Sequence, residues 1–297
     1  MNSRTLINLF LLLTLVIFIS VYITKKNKPE DIQRLTSLSL DEITSIRIPR
    51  ENGKDIVLRK DKHGAPKWHM TEPYSVMAHQ FRVNTLLSLT QSPIKEAYEA
   101  ASLDLSHYAL DKPRSRIIFD ETEISFGKTN PINNKRYLLS NDKIVLLDDQ
   151  TYPLVSSQAA TFVDLTLLHN SDITTLSLPK YNIEKNQTGA WTSTPQESNV
   201  SALTADQIQS LLQNWNHAQA FAVHRHLKRK YFDKINVTID NTSIEFLVSD
   251  IDPWLILARP DLGIEYHLDA SQIKNLLDPN YSAPVPEHTE SEKPNQT

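Results

Sequence analysis

Two stretches of the chain read alike: Ile-Thr-Ser-Ile-Arg-Ile-Pro at residues 43–49 and Ile-Thr-Thr-Leu-Ser-Leu-Pro at residues 173–179. Apolar and polar residues nearly alternate in both, which predicts a β-strand with one buried face. Further matches follow in the same order, at a displacement that falls from 130 to 120 residues, as deletions in one copy would produce. They pair Trp68 with Trp191, Val83 with Ile208, Leu86 with Leu211, Ile117 with Val237, Phe119 with Ile239, Phe126 with Phe246 and Ile144 with Ile264. The sequence therefore predicts a tandem duplication.

Each copy predicts the same small α+β unit. It begins with two strands and the tryptophan, continues with an amphipathic helix, and ends with a hairpin and two further strands. In the second copy, Thr204-x-x-Gln207 has the form of a capping box at the start of the helix. The expected fold is an N-terminal transmembrane helix followed by two homologous, mostly antiparallel sheet-plus-helix modules, at residues 39–168 and 169–278.

The N-terminus has the composition of a membrane anchor. Residues 6–23 contain no charge, and at about 1.5 Å per residue they reach roughly 27 Å, close to the thickness of a hydrocarbon core. The apolar run ends in lysines rather than in a small-residue cleavage site, so we predict an uncleaved signal anchor at residues 6–24. The alternative, a buried helix of a soluble domain, would carry a polar stripe that this segment lacks. Residues 1–5 are then cytoplasmic, and residues 25–38 form a tether.

Composition narrows the classes of function. The chain has no cysteine, which excludes disulfides, thiolate metal sites and cysteine nucleophiles, and its five glycines form no phosphate-binding loop. A long globular part without cysteine suits an oxidising space, so we predict a single-pass membrane protein whose globular part faces a space such as a periplasm. Without residues 1–28 the net charge is −8, which argues against binding of nucleic acid. The proline-rich tail at residues 279–297 is expected to be disordered.

One basic segment interrupts the acidic composition, at residues 224–231. Its charges predict a surface for an acidic partner, a phosphate or lipid headgroups, although a charge run between a helix and a strand also fits a plain solvated surface. The candidate interaction patch consists of His224, Arg225, His226, Lys228, Arg229 and Lys230. The spacing of the two histidines invites a metal, but no HExxH motif and no carboxylate at ligand spacing accompanies them. We therefore predict no catalytic residue, no metal site and no cofactor.

Several short motifs lie mainly in the first copy. They are Leu40-Asp41-Glu42-Ile43, Trp68 with Pro73, Ala78, Tyr108-Ala109-Leu110-Asp111-Lys112-Pro113, Phe126-Gly127-Lys128 and Arg136-Tyr137. In this order they resemble the bacterial family called domain of unknown function 4340, over residues 39 to about 168. Ala109 stands where the family usually has glycine, and a glycine there would indicate a positive φ.

The resemblance implies a single-pass location in the bacterial inner membrane, with the globular part facing the periplasm, and an architecture, but no established activity. Such domains are found behind one membrane helix or in accessory subunits of ABC-type transporters linked to gliding motility. With the anchor and the lack of a catalytic constellation, this leads us to expect a non-enzymatic interaction module whose partner is an envelope or transporter protein. A small-molecule or lipid-binding module, with a cleft between the two copies, is the alternative.

Overall fold

A computed structural model describes residues 10–20, 33–61, 67–148, 150–169 and 172–281 of the chain. Residues 10–20 form helix α1, whose side chains are mostly exposed. The other positions of the predicted anchor at residues 6–24 lie outside the described residues. In the described part of the chain, none of the helices combines the length and the apolar character that crossing a bilayer requires.

The first sheet has nine strands. They are β1 (Ser45–Ile48), β2 (Ile56–Lys60), β3 (Trp68–Glu72), β4 (Val76–Met77), β5 (Ala97–Glu99), β6 (Ser115–Phe119), β7 (Thr122–Thr129), β8 (Arg136–Ser140) and β9 (Lys143–Leu147). Their order across the sheet is β4-β3-β2-β1-β6-β7-β8-β9-β5. The predicted strand pair near residues 136–139 and 143–147 is confirmed as the antiparallel pair β8 and β9.

The second sheet has eight strands. They are β10 (Ile173–Ser177), β11 (Tyr181–Lys185), β12 (Trp191–Pro195), β13 (Ala222–Arg225), β14 (Asp233–Ile239), β15 (Thr242–Asp250), β16 (Trp254–Arg259) and β17 (Ile264–Asp269). Their order is β12-β11-β10-β14-β15-β16-β17-β13. If β4 is set aside, this order is the same, strand for strand, as that of the first sheet. Two antiparallel sheets with a few helices make the fold α+β.

The helices beyond α1 are α2 (Gln80–Thr90), α3 (Tyr152–Val155), α4 (Ala205–His217) and α5 (Gln272–Leu276). The predicted capping box is confirmed at the start of α4, where the Thr204 side chain accepts a hydrogen bond from the Gln207 backbone N–H and the Thr204 N–H donates to Gln207 Oε1. The apolar face of α4 is buried. Trp215 on that face donates a hydrogen bond to the Leu276 carbonyl at 2.8 Å, which ties α4 to α5.

The described residues form two compact units. The first unit gathers those up to Glu42 with Leu87–Arg116 and Thr122–Gln150, and the second gathers Ile43–Leu86, Ile117–Glu121 and those from Thr151 onward.

In the first unit, part of the predicted tether packs against the segment after α2. The Leu35 N–H donates to the Ser92 carbonyl at 2.9 Å, and the Ile94 N–H donates to the Gln33 carbonyl at 2.8 Å. Leu35 and Thr36 are both buried. Of the predicted tether, residues 25–32 lie outside the described residues. The predicted tail likewise extends beyond them from residue 282 onward.

Candidate ligand-binding cleft

A cleft with a volume of about 860 Å³ opens in the second unit. One wall comes from the turn after β1, the residues after β3 and the segment after α3, and the other wall comes from β13, the segment after it and β17. Its described lining contains four basic side chains and one carboxylate, and we call it the basic cleft. These five residues are Arg50, Lys54, Arg225, Arg229 and Glu265.

Arg50 is held in the first wall by backbone acceptors. Its guanidinium donates to the Val155 carbonyl at 2.9 Å and to the Ser157 carbonyl at 2.6 Å. Its backbone N–H donates to Asp55 Oδ1 at 3.1 Å. Burial lowers the pKa of Arg50, and the nearby Asp55 opposes that shift. Arg50 therefore joins the β1–β2 turn to the segment after α3 and adds a fixed positive charge to the wall.

Glu265 is the centre of the opposite wall. The antiparallel pairing of β13 with β17 places His224 directly across from it, and its side chain is fully buried. Its carboxylate accepts hydrogen bonds from the Leu227 N–H at 3.2 Å and from His267 Nε2 at 3.1 Å, and it lies 3.6 Å from Arg229 Nη2. Glu265 thereby fixes the start of the segment that carries Arg229.

The ionisation of the cleft follows from these contacts. Burial alone would raise the pKa of Glu265, but the hydrogen bonds from His267 and the Leu227 N–H, with the charge of Arg229, hold this pKa below its ordinary value. Burial and the neighbouring His267 lower the pKa of His224. Near neutral pH, Glu265 is thus ionised and His224 is neutral, so the cleft keeps a positive net charge.

The predicted patch divides into three groups. His224, Arg225 and Arg229 line the basic cleft. His226 lies behind them, with its Nδ1 buried, without a hydrogen bond and 3.5 Å from Glu265 Oε2. Lys228 and Lys230 are exposed and do not line the cleft. Within the described residues, no group of three potential ligands could hold a metal ion.

Sequence reasoning missed Arg50, Lys54 and Glu265. Arg50 and Lys54 belong to the first predicted copy, and local patterns do not reveal which distant segments share a cleft. Glu265 did carry a signal, because it places a charge inside a strand whose neighbours on both sides, Ile264 and Tyr266, are apolar.

The first unit contains a different cleft, with a volume of about 550 Å³ and three tyrosines in its lining, Tyr98, Tyr108 and Tyr137. The rings of Tyr108 and Tyr137 meet edge to face at 4.8 Å between centroids. Asn130 Nδ2 donates to the hydroxyl of Tyr137 at 3.0 Å, and the hydroxyl of Tyr98 donates to Glu96 at 2.7 Å.

Three of the sequence motifs meet beside this cleft. A Cβ on Gly127 would lie 2.3 Å from the Tyr108 carbonyl oxygen, so only glycine allows the backbones to approach this closely. The guanidinium of the buried Arg136 donates to the Gly127 carbonyl at 2.6 Å. Ala109 adopts a left-handed conformation with φ of 54°, as expected for a position where glycine is usual.

The fold and this geometry define an α+β protein with two antiparallel sheets and a cation-lined cleft. Residues 68–232 match the family model described as Domain of unknown function (DUF4340), and the chain belongs to this family. The match confirms the resemblance, and its range includes the whole basic segment. No curated protein and no solved structure matches the chain.

Proposed function

We propose that the chain is a non-enzymatic, membrane-anchored module of the bacterial envelope that docks onto an acidic surface of another envelope protein. The docking surface is the loop between β13 and β14 at residues 227–232, which we call the docking loop. The predicted tandem duplication, which the shared strand order of the two sheets supports, supplies the rigid scaffold on which this loop is held.

The single observation that carries this proposal is the surface composition of the docking loop. Three large apolar side chains are exposed in it: Leu227 at 55%, Tyr231 at 43% and Phe232 at 54%. They flank the three cations Lys228, Arg229 and Lys230 on both sides in the sequence. Aromatic residues and arginine are enriched in the centres of protein interfaces, and a basic rim selects and steers an acidic partner.

The proposed location follows from the N-terminal sequence. An uncleaved anchor at residues 6–24 would place the two sheets outside the cytoplasm, in the periplasm. A reporter that is active only after export, fused after Thr297, should be active in intact cells. An inactive reporter of normal abundance would contradict this orientation.

Site-specific crosslinking in intact cells tests the docking. We would place a photoreactive benzoylphenylalanine at Leu227 or Tyr231 of the full chain. The control position is the exposed Thr242, at the opposite end of the β14–β15 hairpin. Both loop positions should yield an adduct with the same envelope protein, and the control position should not.

Charge reversal completes this test. Lys228→Glu with Lys230→Glu should reduce the yield of the adduct at least several-fold, because the basic rim attracts the partner. Adducts of equal yield from all three positions, or a yield that charge reversal leaves unchanged, would overturn the docking proposal.

A second candidate function is favoured by the basic cleft itself. Its volume of about 860 Å³ falls in the range of small-molecule sites, and its walls bring together residues of both copies. This geometry suits the binding of a small molecule or a lipid headgroup, and it uses residues other than the exposed lysines of the docking loop.

A further inference from the structure

We propose that the basic cleft binds a phosphoryl group, carried by a small molecule or by a lipid headgroup, and that Arg225 and Lys54 contact it directly. This inference develops the second candidate function. It does not depend on the docking proposal, because the two proposed contacts, Arg225 and Lys54, lie outside the docking loop, although Leu227 and Arg229 of that loop line the cleft.

The positive charge of the cleft is not cancelled by its own residues. Among the described residues, no carboxylate lies within ion-pairing distance of Arg225 or Lys54. Both side chains are exposed, and they belong to opposite walls of one concave space. Cations that face one cleft raise the local concentration of an anion, and a bound anion reduces the repulsion between them.

Glu265 is the one described carboxylate in the lining, and its charge is compensated by residues of its own wall. Its oxygens accept from the Leu227 N–H and His267, and Arg229 lies 3.6 Å away. The Glu265 side chain is also fully buried. It is therefore a positioning residue for the segment that carries Arg229.

The cationic walls are already ordered. Arg50 is fixed by two backbone carbonyls, and the start of the docking loop is fixed by Glu265. Groups held in place before binding lose less conformational entropy when the ligand arrives. The cleft is thus prepared for an anion before one enters.

The number of unpaired cations favours a phosphoryl group over a single carboxylate. A phosphate monoester carries a charge of roughly −1.5 to −2 and several acceptor oxygens, so it can accept from both Arg225 and Lys54. The space is far larger than a phosphate ion, and Ile56, Pro73 and Leu227 add apolar surface to the lining. The ligand is therefore an organic phosphate with an apolar portion.

Binding by the full chain in phosphate-free detergent micelles tests the proposal. Inorganic phosphate would be titrated at constant ionic strength and followed by calorimetry, with succinate as the carboxylate probe. Arg225→Gln and Lys54→Gln should each weaken phosphate binding roughly tenfold. Lys228→Gln removes the same charge from an exposed neighbour and should leave the affinity unchanged.

A second arm separates the two sources of the phosphoryl group. The same micelles would be doped with phosphatidic acid, whose headgroup is a phosphate monoester. If this lipid competes with inorganic phosphate and its binding is weakened by the same two variants, the ligand is a headgroup. If it does not compete, and the variants weaken phosphate binding alone, the ligand is a soluble phosphate.

Three results would overturn the proposal. They are the absence of binding of both probes, tighter binding of succinate than of phosphate, and equal weakening by the cleft variants and by Lys228→Gln. Arg225→Lys keeps the charge and should keep most of the affinity, which separates a lost contact from a misfolded variant. The crosslinking experiment on the docking loop is unaffected by any of these results.

Discussion

The two sheets of this protein share one strand order but differ at one edge. In the first sheet the edge strand β5 pairs with β9, and Ala97 lies across from Val145. In the second sheet the corresponding pair is β13 with β17, and His224 lies across from Glu265. Val145 and Glu265 are both buried.

This difference shows which residues at the sheet edge are needed for the strand order and which are not. An alanine and a valine suffice to build this edge in the first sheet. The histidine and the glutamate of the second sheet are therefore not required by the strand order. They lie in the wall of the basic cleft, where the Glu265 carboxylate positions the segment that carries Arg229.

The largest change in the free energy of unfolding is expected when a carboxylate is introduced at the edge of the first sheet. Val145→Glu would bury a carboxylate between Ala97 and Leu138, without the His267 and Arg229 that serve Glu265. The free energy of unfolding should fall by about 3–5 kcal/mol, as for an uncompensated buried charge. Chemical denaturation would measure this loss.

The control for that variant is Thr129→Glu, an exposed position on β7 of the same sheet, where a change within about 0.5 kcal/mol is expected. If Val145→Glu caused an equally small change, the edge of the first sheet would tolerate a buried charge. The difference between the two edges would then give no evidence of a role for Glu265.

A second variant tests a requirement that is specific to the first unit. Gly127→Ala places a Cβ against the Tyr108 carbonyl oxygen, whereas the matching residue of the second copy is Leu247. The unfolding free energy should fall by roughly 1–3 kcal/mol because the neighbouring backbone must shift. The exposed neighbour variant Lys128→Ala should stay near wild type. Equal stabilities of the two variants would refute the close approach.

A stabilising substitution is expected at the turn beside the tyrosine-lined cleft. Ala109 has a positive φ, which costs an alanine roughly 1 kcal/mol, so Ala109→Gly should raise the unfolding free energy by about 0.5–1 kcal/mol. The matched control is Ala101→Gly, because Ala101 has no positive φ and glycine only adds flexibility there. The expectation fails if both variants lose stability alike.

The smallest expected effect is a pH dependence of the stability of the second unit. Burial lowers the pKa of His79, His169 and His224 below their ordinary value near 6.5. A histidine with a lowered folded-state pKa contributes stability above the unfolded pKa, and this contribution is lost as the pH falls from the unfolded pKa through the lowered folded-state pKa. Hydrogen exchange at pH 7.5 and 5.5 should show protection falling in the second unit more than in the first. Greater loss in the first unit would contradict this assignment.

Much of the local structure could be predicted from sequence. The hairpin of β14 and β15 and the capping box of α4 depend on neighbours within a few residues, and both are observed. The two paired tryptophans differ in burial: Trp68 is buried, whereas Trp191 is half-buried and lies under Lys185 Nζ.

The basic cleft could be predicted only in part. The basic segment is local and was identified as a surface, but its partners in the cleft, Arg50 and Lys54, are more than 150 residues away in the chain. Periodicity indicates which face of a strand is buried, but not which distant turn lies opposite it. Comparing the two predicted copies gives a better indication of the site. It aligns the charged Glu265 with the apolar Val145, so it singles out a glutamate at a position where the first copy has an apolar residue.

The most direct test is to give the second sheet the edge of the first. A full chain with His224→Ala and Glu265→Val carries the residues found at the corresponding positions, Ala97 and Val145. We predict that the variant still unfolds cooperatively, with a loss of roughly 1–3 kcal/mol because the Leu227 N–H and His267 lose their acceptor. We also predict phosphate binding several-fold weaker in calorimetry, because the segment that carries Arg229 loses the carboxylate that positions it. A variant that fails to fold, or that folds and binds phosphate with unchanged or higher affinity, would contradict the account.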